Sequence, residues 1–315
     1  MPTLSYPCQK ALLKPLPFRT RKLLAARNAS LCAADKSVAY GQLRDVTLTY
    51  FVPHTVRIEI DRFSTEIQSR DDGGVEVSFQ CPHDVPIAAS PPVTVHGLRF
   101  DEAVGRYLKY VFERAGTSIE SLTMSALPVD FSSFGSLVRA KIVQFTTPSQ
   151  PAGSLLHTIP IDQKSWLDKC LETETVRKSA ILGIAAPGFD IESLRFLKCH
   201  TLNVFNIPFH NCLNAYIRGL LRIPVPIGFT MNYAREGSDL RVLADELLDL
   251  QPTIDQRRNI LFIDSHVGER QIHISANRAR PFEFPNTFCV KVVEKTRIIS
   301  ASRQSAREPN NFQGS

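Results

Sequence analysis

Four residues of the types that ligate zinc, Cys199, His200, His210 and Cys212, fall within fourteen positions of one another. Adjacent residues on a strand point to opposite faces, so Cys199 and His200 do not share one ion. Cys212 also belongs to an apolar helical stripe with Leu213, Tyr216, Ile217, Leu220 and Leu221. A buried thiol and surface histidines account for the set. Cys81-x-His83 has no second pair.

Asp264-Ser265-His266 contains the residue types of a hydrolytic triad. Consecutive side chains diverge, whereas a proton relay needs them to converge, and a turn at a strand end explains the run better. The chain has no Gly-x-Ser-x-Gly elbow, no Gly-x-Gly-x-x-Gly turn and no P-loop. Asp101-Glu102 and Asp245-Glu246 fall on expected helices, where solvation and the helix dipole explain them. The sequence therefore predicts no enzyme, no metal and no cofactor, and a binding role instead.

With 315 residues, 43% of them hydrophobic, the chain has material for about two units of the common domain size. Its seven cysteines are odd in number, scattered and never spaced Cys-x-x-Cys. That argues for reduced thiols and an intracellular setting, cytoplasmic or nuclear. No apolar run approaches the roughly 18 residues of a membrane span, and no secretory core opens the chain.

The net charge of +6 is unevenly spread: residues 1–50 carry eight basic and two acidic side chains, residues 51–290 carry 24 and 27, and residues 291–315 carry five and two. A body with excess acid is a poor nucleic-acid binder, and no membrane or nucleic-acid partner is expected. The first acid is Asp35, after Lys10, Lys14, Arg19, Arg21, Lys22 and Arg27. This is also the composition of a mitochondrial presequence, and a mitochondrial protein with a cleaved leader stays as an alternative.

In the head, Leu12, Leu13, Leu16, Leu23 and Leu24, interrupted by Pro7, Pro15 and Pro17, predict two short helices and a turn. Residues 46–50, 56–60 and 75–79 alternate with period two, and Asp71-Asp72-Gly73-Gly74 marks a turn before the third, giving a small β-meander. Residues 81–97, rich in proline, read as a connecting loop. A helix is expected from Asp101, with Ala103, Val104, Tyr107, Leu108, Val111 and Phe112 on one face and Gly116 as its stop.

Strand-like runs then recur around Leu122, Ile142, Leu182, Leu202, Phe229 and Ile263. Strand 199–205, helix 211–222, strand 227–233, helix 239–250 (Asp239 as N-cap) and strand 259–264 form a β-α-β-α-β series, for which parallel strands are expected. Residues 271–274 and 288–293 read as a terminal hairpin. The expected fold class is α/β, with a helical head (1–45), a β-rich segment and proline-rich loop (46–98), an irregular leucine-rich-repeat-like solenoid with parallel strands (99–300) and a disordered tail (301–315). A doubly wound sheet fits the same spacing but usually carries a glycine-rich first turn.

Leu4-Ser5-Tyr6-Pro7, the helix around Arg21 to Arg27, Ser30-Leu31, Lys36-Ser37-Val38 and residues 46–50 resemble the opening of a nematode-expanded family related to F-box proteins. Asp72-Gly73-Gly74-Val75, Phe100-Asp101-Glu102-Ala103-Val104, Ile119-Glu120-Ser121-Leu122 and Pro226-Ile227-Gly228-Phe229 follow in that family's order, so the resemblance covers roughly residues 4–265. It implies that a short helical head docks on an acidic adaptor of a cullin-type ubiquitin ligase while a repeat-like body binds a protein substrate. The head residues it singles out are Leu12, Leu13, Leu16, Phe18, Arg21, Lys22, Leu23 and Leu24. The alternative reading is a repeat-type binding protein without a ubiquitin role, whose head caps the body.

Overall fold

The computed structural model describes residues 5–51, 54–80, 92–125, 138–146, 163–185, 191–204, 213–234, 239–265, 269–277 and 287–295. The head forms three helices, α1 (Tyr6–Leu13), α2 (Phe18–Arg27) and α3 (Ala29–Asp35). Pro7 sits in the first turn of α1 and Pro17 immediately precedes α2, positions where a missing N–H costs little. The third helix goes beyond the two predicted. Asn28 adopts an extended backbone and its side chain accepts from the N–H groups of Ser30 and Leu31, restarting the helix without glycine or proline.

Five strands follow: β1 (Gln42–Phe51), β2 (Thr55–Ile60), β3 (Phe63–Ser69), β4 (Val75–Gln80) and β5 (Val93–Val95). The sequence reading missed β3. Its turn from β2 uses Asp61 and Arg62, both at positive φ (48° and 70°), with no glycine to announce it. Asp61 holds that conformation by accepting from the N–H groups of Arg44 (2.9 Å) and Asp45 (3.1 Å). The 81–97 segment is corrected at its end, where β5 pairs antiparallel with β4; residues 81–91 lie outside the described residues.

The helix expected from Asp101 is α4 (Phe100–Phe112), and Gly116 beyond it has φ of 85°. The rest comprises β6 (Ser118–Met124), β7 (Ala140–Phe145), α5 (Gln163–Leu171), α6 (Glu174–Arg177), β8 (Ile181–Ile184), a 3-10 turn (Ile191–Phe196) and β9 (Thr201–Val204). After these come α7 (Leu213–Arg222), β10 (Thr230–Ala234), α8 (Leu240–Glu246), a 3-10 turn (Leu248–Leu250), β11 (Thr253–Asp255), β12 (Ile260–Asp264), β13 (Arg270–Asn277) and β14 (Thr287–Glu294). Asp239 caps α8 as expected, accepting from the Arg241 N–H at 2.8 Å. The 301–315 tail lies outside the described residues.

All strands join one open, mixed sheet in the order β11-β12-β13-β14-β10-β9-β8-β7-β6-β1-β2-β3-β4-β5. Six central strands, β1, β6, β7, β8, β9 and β10, are mutually parallel and follow chain order. Antiparallel strands extend both ends. The crossover expected from 227–233 to 259–264 needs correction. The hairpin of β13 and β14 inserts between them, β14 pairs antiparallel with β10, and β12 pairs with β13 and β11. The sequence pattern identified β10, β12, β13 and β14 but not β11, and the partner of β10 is decided by β14, whose Phe288, Val290 and Val292 extend the same apolar layer.

That layer is the core. Leu48, Leu122, Met124, Val143, Phe145, Leu182, Ile184, Leu202, Val204, Met231 and Tyr233 are buried on one side of the parallel strands. Helices meet this side: Tyr107 of α4 bonds Thr65, Trp166 of α5 stacks edge-on with Phe145, and Tyr216 of α7 with Tyr233. The head joins it through Phe18, whose ring packs on Tyr40 and Phe63.

Candidate functional site: a charged clasp and an open sheet face

The head is fastened by a buried ionic cluster around Asp35. Arg21 donates to Asp35 Oδ1 through Nε (2.9 Å) and Nη2 (2.7 Å), and to the carbonyls of Ala39 (2.6 Å) and Val38 (2.8 Å). Lys22 Nζ donates to Asp35 Oδ2 at 3.0 Å and to the Tyr110 hydroxyl at 2.9 Å. From the far side of the sequence, Arg114 Nη1 donates to the carbonyls of Asp35 (2.5 Å) and Val38 (3.0 Å). Arg21 and Asp35 are 0% and 1% exposed, so the pair is desolvated.

Aromatic faces complete the clasp. The Tyr40 ring lies 4.4 Å from the Arg21 guanidinium and 4.1 Å from that of Arg114, and Tyr110 lies 4.5 Å from the Lys22 ammonium. Burial pushes the Asp35 carboxyl up, but the Lys22 charge and the hydrogen bonds of Lys22 and Arg21 outweigh it and hold the group below the usual carboxylate range. Burial raises the Tyr40 phenol strongly, so it stays neutral and donates. The clasp positions the head; it presents no group poised to react.

The eight head residues singled out by sequence divide into three groups. Leu13, Phe18 and Arg21 are buried within this chain, Leu16, Lys22, Leu23 and Leu24 are partly buried, and Leu12 is exposed beside Tyr6. Asp35, Tyr40, Tyr110 and Arg114 were not foreseen. One signal was available: Asp35 is the first acid after six cations.

The other candidates separate in space or in role. Cys199 is buried and its thiol pushed up to about 11 by desolvation, while the neighbouring His200 is exposed. His210, Cys212, Cys81, His83 and His266 lie outside the described residues, among which no cluster of metal-ligating side chains occurs. Asp264 binds Lys295 at 2.7 Å and Gln271 at 2.9 Å, and Ser265 donates to the Leu221 carbonyl. Asp101 and Glu102 pair with Arg99 and Arg106, Asp245 is exposed and Glu246 accepts from Asn214. Each carboxylate with a partner has a structural use.

The second site is the sheet face opposite the helices. Register aligns Glu59, Thr47, Thr123, Gln144, Gly183, Asn203, Asn232, Cys289 and Ser275 across nine strands. Hydroxyls and amides link along this row: Asn232 donates to Asn203 at 2.8 Å and Thr123 to Gln144 at 3.4 Å. Gly183 leaves room for Gln144, whose Cγ would stand 3.0 Å from any added Cβ. Beside the row, Arg57 and Glu66 pair at 3.0 Å, and His273 rests on Phe262 with ring centroids 4.7 Å apart. The helix contacts named above all lie on the other side. Among the described residues, this face offers many hydrogen-bonding groups on rigid strands and no nucleophile–base pair.

In comparisons with known proteins, no family model, characterised protein or solved structure matches the chain.

Proposed function

We propose that this chain is a non-enzymatic recognition module that holds a protein ligand against the open face of its sheet. The observation that carries the reading is the row from Glu59 to Ser275, mostly hydroxyls and amides and interrupted by Gly183 and the buried Cys289, set in register on strands whose other side is anchored in the core. Polar groups on a rigid support recognise a surface with little ordering cost. The chain-order succession of the parallel strands supports an irregular solenoid reading, in which each strand heads one repeat.

The resemblance to F-box relatives extends the proposal to a substrate receptor of a cullin-type ubiquitin ligase, with the sheet face for substrate and the head for the adaptor. Among the described residues of the head, Tyr6 and Leu12 are the exposed large apolar side chains. The competing reading, a binding protein without a ubiquitin role, draws on the burial of Leu13, Phe18 and Arg21, which suits a cap.

Affinity capture with the full chain, a Thr123→Arg/Asn203→Arg variant and a Leu12→Asp variant tests both. The first variant loses the protein ligand if the face binds it; retention by a folded variant refutes the face. An adaptor captured by the wild type and lost from Leu12→Asp supports the receptor reading; no adaptor in any sample favours the cap.

A further inference from the structure

We propose that the edge of the sheet where the parallel strands begin is a docking groove for an acidic, extended segment of a partner protein. This surface is separate from the open face and adjoins the head, where the Tyr6 hydroxyl bonds Ser37 on the wall of the first cleft.

Two clefts lie along that edge. One, of about 630 Å³, is lined by Lys36, Lys109, Tyr110, Glu113 and Arg114. The next, of about 700 Å³, is lined by Gln42, Ser118, Arg139, Lys141, Glu174 and Lys178. The backbone joining their linings is tied together where Tyr40 N–H meets Thr117 Oγ1 at 3.3 Å and Ser118 N–H meets the Gly41 carbonyl at 2.9 Å. Gln42, Ser118 and Ala140 open β1, β6 and β7, and Lys178 shortly precedes β8. At the usual strand spacing of about 4.8 Å, this run is about 15 Å long, the reach of roughly four or five extended residues.

The groove's charge is one-sided. Five cations, Lys36, Lys109, Arg139, Lys141 and Lys178, face two carboxylates, Glu113 and Glu174, and Glu174 is engaged by Lys178; Arg114 at the wall is turned to Asp35 in the clasp. Topology explains part of this excess: α4 and α6 end at this edge, and helix C-termini favour cations such as Lys109 and Lys178. It does not explain Arg139 and Lys141. They are exposed at the start of β7 and stand in no close ion pair among the described residues, the Arg139 charge acting on Glu174 only at longer range; Lys36 and Lys109 are likewise exposed and in no close ion pair. Unpaired cations at fixed spacing suit carboxylates presented at alternate positions of an extended chain. A nucleic-acid strand fits less well. Tyr110, the aromatic ring of the groove, is engaged by Lys22 and Arg114, and Glu113 and Glu174 interrupt the positive track.

The test is fluorescence anisotropy of a labelled oligo-glutamate peptide with the full chain, alongside a labelled single-stranded oligodeoxynucleotide. The peptide should bind saturably, with affinity falling as salt rises and falling about tenfold in an Arg139→Glu/Lys141→Glu variant. A distant reversal, Arg241→Glu/Arg257→Glu, should leave it unchanged. If the groove reversal disturbs the melting curve, the milder Lys36→Gln/Lys141→Gln variant should still weaken peptide binding. The proposal fails if both reversals weaken the peptide equally, if the oligonucleotide binds more tightly through the same residues, or if the full chain does not bind the peptide.

Discussion

The parallel strands carry two chemistries one residue apart. Leu202 and Met231 point into the core, while Asn203 and Asn232 on the same strands lie on the open face and bond each other. The first set is constrained by close packing, where a missing methylene is felt. The second set is constrained only by pairing with neighbours, so its identity can change with little cost to the fold. That difference is what a recognition surface needs: a rigid support and freely variable chemistry.

The clasp on the covered side gives the strongest test. Asp35→Asn removes the one carboxylate among the described residues that pairs with Arg21, Lys22 and Arg114 and should destabilise the protein by about 3–5 kcal/mol, as buried charge left unpaired does. Chemical denaturation of both proteins measures it. The acid response follows from the lowered Asp35 carboxyl: its contribution is complete above the unfolded value of about 3.9 and lost as pH falls through the lower folded value. Wild-type stability should therefore drop in strong acid more steeply than that of Asp35→Asn. Parallel acid profiles would remove the clasp as a source of stability.

The comparison sharpens on a single strand. Leu202→Ala, fully buried, should cost about 2–5 kcal/mol, whereas Asn203→Ala, one residue away, should cost about 0.5–1.5 kcal/mol. Equal losses would mean that the open face is as tightly packed as the covered one.

The elements were largely legible in the sequence because burial imposes a period. Val46, Leu48 and Tyr50 alternate with threonines, and α4 repeats its apolar face as far as a glycine stop. What escaped was set by distance or by residues without a strong signature. The Asp61-Arg62 turn lacks glycine, so β3 was missed. Pairing of β14 with β10 depends on segments more than fifty residues apart. Arg114 reaches Asp35 across 79 positions, which no local pattern records. The open face was hidden for the opposite reason: Thr47, Thr123 and Asn203 look like the ordinary polar half of any strand until register lines them up.

On the open face, the Arg57–Glu66 pair is the counterpart of the clasp. Both side chains retain solvent contact, at 37% and 22% exposure, so Arg57→Gln should change stability by about 0–1 kcal/mol. The effect should shrink further in high salt, whereas the Asp35→Asn penalty should persist. A salt-insensitive loss at Arg57 would mean that this part of the face is shielded from water.

The smallest effect concerns access, and it uses the cysteines as reporters. Cys8 on α1 is exposed, while Cys199, just ahead of β9, is buried with its thiol pushed up to about 11 by desolvation. At mildly alkaline pH a maleimide should modify Cys8 promptly and reach Cys199 only when the structure opens, since the thiolate is the reactive species. Peptide mass mapping over time gives both rates. In Asp35→Asn the Cys199 rate should rise if loss of the clasp loosens the whole sheet, and stay at the wild-type value if only the head comes away. That outcome distinguishes a head integral to the fold from one merely attached to it.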